Sequence, residues 1–89
     1  MFPNNIKIKD VKQEIGLLVK SFRKNGKITQ QELAEKLDVS RLTIQNLESG
    51  KNFTIDTLLK VLQHFDQLDA INSLLIDKRT EQENSTSLY

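Results

Sequence analysis

At 89 residues the chain has room for one domain with a small core. It contains no Cys and a single His, which excludes a disulfide framework, a thiolate metal centre and a multi-histidine metal site. The formal net charge is only +1, yet it is unevenly spread: residues 1–53 hold ten Lys/Arg against six Asp/Glu, and residues 54–89 hold three against six. The first half therefore suits a polyanion, and the second half should face away from one. No apolar run approaches the ~20 residues that span a bilayer. Met1 to Asp10 lack the apolar stretch of a secretory signal, so a cytoplasmic location is expected.

β-branched residues show no sustained alternation, whereas helical spacing recurs. A first helix is expected from Asp10, which with Gln13 three residues on resembles a capping box. Val11, Ile15, Leu18 and Phe22 supply its apolar stripe. Lys24 to Lys27 should end it, with Gly26 in the left-handed conformation. Thr29 and Glu32 form a Thr-x-x-Glu capping box for a second helix, whose inner face is Leu33, Ala34 and Leu37. Asp38 stands where a tight turn needs a left-handed residue, which Asp tolerates better than most. Ser40 caps a third helix, Arg41 to Ser49, closed by Gly50. Thr54 caps a fourth, with a stripe of Ile55, Leu58, Leu59, Leu62 and Phe65. Asp66 is expected to cap a fifth, carrying Leu68, Ile71, Leu74, Leu75 and Ile76. From Asp77 the chain turns polar, and residues 78–89 read as a flexible tail. The expected organisation is an N-terminal arm (1–9), an all-α five-helix domain (10–77) and that tail.

The informative segment is Thr29 to Gly50. Two short helices joined by a three-residue turn must cross steeply, with Ala34 at the crossing and Val39, Ile44 and Leu47 filling the angle. At about 100° per residue, Ile44 and Leu47 lie on one side of the third helix, and Arg41, Leu42, Gln45, Asn46 and Ser49 on the other. That outer face has a cation, two carboxamides and a hydroxyl, and no carboxylate. Arg can read guanine bidentately, Asn or Gln can read adenine, and Leu42 can touch a thymine methyl. A helix presenting such groups after a capped helix and tight turn can enter a major groove, whereas on an isolated helix the same face would be ordinary solvated surface.

Other residues offer little chemistry. His64 sits where the helix dipole favours a cation. Asp66, Asp69 and Asp77 give no closed oxygen cage for a metal. Ser21, Ser40 and Ser49 have no usable base, so no nucleophilic triad can be assembled. Gly26 and Gly50 are isolated caps and do not make a phosphate loop. No catalytic residue and no cofactor is expected.

Residues from about Ile15 to Leu62 resemble the Xre family, the helix-turn-helix domains of the Cro and lambda-repressor type. The matching pieces are Phe22-Arg23-Lys24, Ile28-Thr29-Gln30, Glu32-Leu33-Ala34, Leu37-x-Val39-Ser40 and Ile44-x-x-Leu47-Glu48-x-Gly50-Lys51. Asp38 departs from the family's usual Gly. The resemblance implies base contacts from Arg41, Leu42, Gln45 and Asn46. It implies phosphate contacts from Gln30, Ser40, Thr43, Lys51 and Asn52, with Gln30 also bracing the third helix. It implies an internal ion pair between Arg23 and Glu48.

One short reading helix rarely suffices, so a C2 homodimer on a palindromic operator is expected, with its interface on the fifth helix at Leu68, Ile71, Leu74 and Leu75. Leu17, Val61, Leu74 and Ile76 fall outside the inward stripes. A repressor is the expected function. The leucine-rich run Thr57 to Leu62, followed by Leu68 to Leu75, also resembles small Xre-type antitoxins encoded beside HipA-type kinases, which would make such a kinase a partner. A protein-interaction adaptor that keeps the fold without DNA binding is the alternative from another class.

Overall fold

The structure is a computed structural model that describes residues 5–86. It contains five helices: α1 (Ile8–Asn25), α2 (Gln30–Leu37), α3 (Arg41–Glu48), α4 (Ile55–His64) and α5 (Leu68–Thr86). No strand occurs among the described residues. α1 begins two residues before Asp10. The Asp10 carboxylate lies in the first turn and accepts the Lys7 backbone N–H at 2.9 Å, so it caps from within the helix and not from its edge. At the other end Gly26 stays right-handed (φ −79), and Lys27 takes the left-handed conformation instead (φ 59). The Ile28 N–H then reaches back to the Arg23 carbonyl, closing the helix end.

The inward face of α1 is also displaced from the expected stripe. Val19 is fully buried, while Val11 and Leu18 are half exposed. The cause is a close helix crossing. A Cβ on Gly16 would lie 2.5 Å from the Glu48 carbonyl oxygen and 2.7 Å from that of Leu47. α1 therefore meets the end of α3 backbone to backbone at Gly16, which rotates Ile15, Val19, Phe22 and Arg23 inward.

α2 and α3 follow the local signals closely. Thr29 Oγ1 accepts the Glu32 N–H, and the Glu32 carboxylate accepts the Thr29 N–H at 2.8 Å. Asp38 is left-handed (φ 57, ψ 47), and Val39 N–H bonds to Ala34 O across the turn. Ser40 Oγ accepts the Thr43 N–H at 3.0 Å. Leu33, Ala34 and Ile44 form one buried cluster, backed by Ile28, Leu37, Val39 and Phe65.

A second cluster joins α1, α3 and α4 through Val19, Leu47 and Val61. Val61 was expected off the inward stripe and is completely buried, whereas Ile55 was expected inside and is 69% exposed. α4 faces the core with Thr57, Val61 and Leu62, which are buried. Phe65 stacks on Phe22 with ring centroids 5.5 Å apart, closing α4 over the α1–α2 turn.

Asp66 does not cap α5. It is left-handed (φ 58) and terminates α4, with Gln67 N–H bonding to Leu62 O. The expected break at Asp77 is absent too: residues 78–86 continue α5 as helix, and the remainder of the anticipated tail lies outside the described residues. This stretch has no Gly or Pro, is rich in good helix formers, and carries an Arg79–Glu83 pair at i,i+4 and a Lys78–Glu81 pair at i,i+3. Leu75, expected at the dimer interface, is 59% exposed. No described helix is long and apolar enough to cross a membrane.

Candidate nucleic-acid interface

α3 is held on its inner side by Ile44 and Leu47, both fully buried. With those two fixed, the other side of the helix faces outward. Arg41 and Leu42 are exposed, Leu42 to 62%, and Gln45 and Asn46 are partly exposed beside them. The four side chains share one outer face, and no carboxylate lies on it, because Glu48 is turned inward.

Glu48 is the buried anchor of α3. Its Oε2 accepts from Arg23 Nε at 2.6 Å and its Oε1 from Arg23 Nη2 at 3.0 Å. Gln30 Nε2 donates to the same Oε1 at 3.1 Å, and Arg23 Nη1 donates to the Ile28 carbonyl at 3.0 Å. The bidentate bond to Glu48 raises the Arg23 pKa against the opposing pull of burial. One carboxylate thus ties α1, the start of α2 and the end of α3 into a fixed geometry. Gln30 is placed as a brace, with its second amide hydrogen not committed to this network.

Ser40 Oγ and Thr43 Oγ1 lie 2.8 Å apart at the start of α3. One hydroxyl donates to the other, which leaves one hydroxyl hydrogen for an outside acceptor. Lys51 is exposed, and its backbone N–H bonds to Asn46 O, so the loop turns directly from the end of the reading helix. Gly50 makes this turn with φ +76, beside the backbone of Gln13. Asn52 is exposed, and its Oδ1 accepts from Lys12 Nζ at 2.9 Å.

Two cations were not singled out from sequence. A shallow recess between the α1–α2 turn and the start of α3 is lined by Lys24, Lys27, Gln30, Gln31 and Arg41. Lys24 and Lys27 are exposed there. They were visible only as helix-ending residues, although their position just before a capped helix was the available signal. Of the residues expected at a dimer interface, Leu68 and Ile71 are half-buried and line a groove with Leu59 and Leu75, while Leu74 is half exposed and does not line it. Leu17 and Ile76 are also exposed. His64 packs edge-on against Phe65, and no metal-binding group occurs among the described residues.

A capped helix, a left-handed turn residue and a second helix with a polar outer face, all locked by a buried ion pair, define a helix-turn-helix protein. The chain belongs to the Xre-type helix-turn-helix family, whose sequence pattern matches residues 19–69. It is accordingly a DNA-binding transcription regulator. No curated protein matches the chain.

Proposed function

We propose that the protein is a homodimeric repressor that reads a palindromic operator in duplex DNA with Arg41, Leu42, Gln45 and Asn46. The observation that carries this reading is the shared outer face of those four side chains on a helix whose opposite side is fully buried. Gln30, Ser40, Thr43, Lys51 and Asn52 flank that face and hold the phosphate backbone, which sets register while the bases set preference. Occupancy of an operator by such a domain obstructs transcription from it.

A single domain of this size makes few base contacts, and electrostatic attraction alone gives dissociation constants of roughly 10⁻⁴ to 10⁻⁶ M. Two copies reading half-sites about 34 Å apart resolve this. The half-buried Leu68 and Ile71 and the exposed Leu74 and Leu75 of α5 support a dimer interface there.

Selection from a random duplex pool, followed by sequencing, tests the reading. An inverted repeat with half-sites one helical turn apart is expected, together with a sedimentation mass of two chains. Recovery of no preferred sequence would remove the base-reading role and leave the adaptor alternative.

An antitoxin role is the second reading. The exposed helical extension of α5 beyond Ile76 supports it, since it offers a polar helix that the domain itself does not pack. Co-expression with the product of the neighbouring gene, expected to be a HipA-like kinase, should then give a stable complex. Failure to co-purify would leave the free-standing repressor.

A further inference from the structure

The first turns of α1 precede the family match, which begins at Val19, yet they lie directly against the end of the reading helix. Gly16 meets the Leu47 and Glu48 carbonyls, Gln13 meets Gly50, and Lys12 reaches Asn52. The Lys12–Asn52 bond has a chemical consequence. An ammonium group can only donate, so the amide must turn its oxygen toward Lys12, and its NH2 group faces away. An Asn left to itself could present either end to a ligand, whereas this one is fixed as a donor. Lys12 keeps two further N–H groups. Among the described residues no carboxylate forms an ion pair with Lys12 or with the neighbouring Lys51, so both charges remain uncompensated. An unpaired ammonium and the amide donor that it orients therefore stand together where α3 ends, with the exposed Lys51 adjacent in the chain.

We propose that Lys12, Lys51 and Asn52 form a backbone clamp for duplex DNA, in which Lys12 binds a phosphate and also sets the Asn52 amide to donate to it. The clamp rests on the DNA-binding reading, and it extends the interface to a part of α1 outside the matched family segment. It also gives the early turns of α1 a task besides packing: they place a charge beside the strand that the α3–α4 loop approaches.

The test is fluorescence anisotropy of the full chain with a labelled mixed-sequence duplex across a salt series, with thermal melting in parallel. Non-specific binding is enough here, because it reports phosphate contacts without needing the operator. Each phosphate neutralised contributes about 0.9 to the slope of log affinity against log salt. Lys12→Gln is expected to flatten the slope by about that amount, so that the wild type loses roughly three- to fourfold more affinity than the variant for a fourfold rise in salt. Lys12→Arg should keep the slope. Asn52→Ala should cost less in the Lys12→Gln background than in the wild type, because the amide is then free to rotate. Should Lys12→Gln melt early, Lys12→Met keeps the aliphatic stem and carries the same expectation. Equal slopes for wild type and a normally melting Lys12 variant would overturn the clamp while leaving DNA binding intact. A wild type that shows no salt-dependent affinity for any duplex would remove the DNA-binding reading itself, and the clamp with it.

Discussion

Gly16→Ala sets two physical effects against each other, and the geometry decides the sign. Gly16 sits mid-helix in α1, where replacement by Ala ordinarily stabilises by about 1 kcal/mol through helix propensity. Here the new Cβ would stand 2.5 Å from one carbonyl oxygen of α3, 2.7 Å from a second and 2.8 Å from a carbonyl carbon. All three are backbone atoms at the end of a helix pinned by the buried Leu47 and Glu48, so no flexible side chain can yield. Overpacking of this kind costs about 1–3 kcal/mol, and more where backbone must move. Because backbone must move here, the cost lies at or above the upper end of that range, and the expected balance is a net loss of about 1–2 kcal/mol, read as a fall in melting temperature of roughly 4–16 °C for a domain of this size. Chemical denaturation followed by circular dichroism measures it, with an unchanged m-value showing that the unfolded state is not responsible. The same shift of α3 should weaken DNA binding even in the folded fraction. A Gly16→Ala variant as stable as the wild type, or more so, would refute the backbone contact between α1 and α3 and the inward face deduced from it.

Other expectations concern single features. Arg23→Ala should cost about 3–5 kcal/mol, because it strands the Glu48 carboxylate in a site where that side chain is 4% exposed, and denaturant unfolding would read the loss. Lys27→Gly should raise stability by up to about 1 kcal/mol by relieving a left-handed non-glycine residue, and should lower DNA affinity by removing a cation from the recess beside α3. A gain in both, or a loss in both, would contradict that assignment. The Thr29 backbone N–H, followed by the Thr29 hydroxyl, holds the Glu32 pKa below the usual glutamate range. A depressed folded pKa stabilises fully above the unfolded value, and that contribution disappears as pH falls through the folded value. Glu32→Gln should therefore lower the melting temperature in the neutral region and converge on the wild type as pH falls below about 4.5, which makes its acid limb shallower. An acid limb identical to that of the wild type would show that the capping box is not formed in solution.

What was legible in the sequence follows from how far each determinant reaches along the chain. Thr29, Ser40 and Thr54 cap helices by bonding a group three residues away, and Asp38 satisfies a turn by its own backbone angles, so local pattern was sufficient. The inward face of α1 was misplaced because Gly16 reads as a weak helix residue, and only the approach of α3 reveals it as the contact point. Val61 and Ile55 exchanged places for a similar reason: periodicity allowed several stripes on α4, and its packing against Val19 and Leu47 selects one. Asp66 carried a true signal, a residue tolerant of the left-handed region, but it closes the helix before it and does not open the next. The helical course of residues 78–86 rests on the helix propensity of Lys, Arg, Glu and Gln, which a polar composition alone does not reveal. In the interface, the outer face of α3 could be read from its spacing. Lys12 could not, since its partner Asn52 lies forty residues on and the two meet only in three dimensions.

The reading helix in the major groove is tested most directly by dimethyl sulfate protection on a selected duplex. The reagent attacks guanine N7, an acceptor displayed in the major groove, and adenine N3, which lies in the minor groove. Bound protein should shield guanine N7 within each half-site, and Arg41→Ala together with Asn46→Ala should restore the reactivity at those bases while phosphate binding persists. Protection confined to adenine N3, or unchanged reactivity throughout a fully bound duplex, would contradict the placement of α3 against base edges.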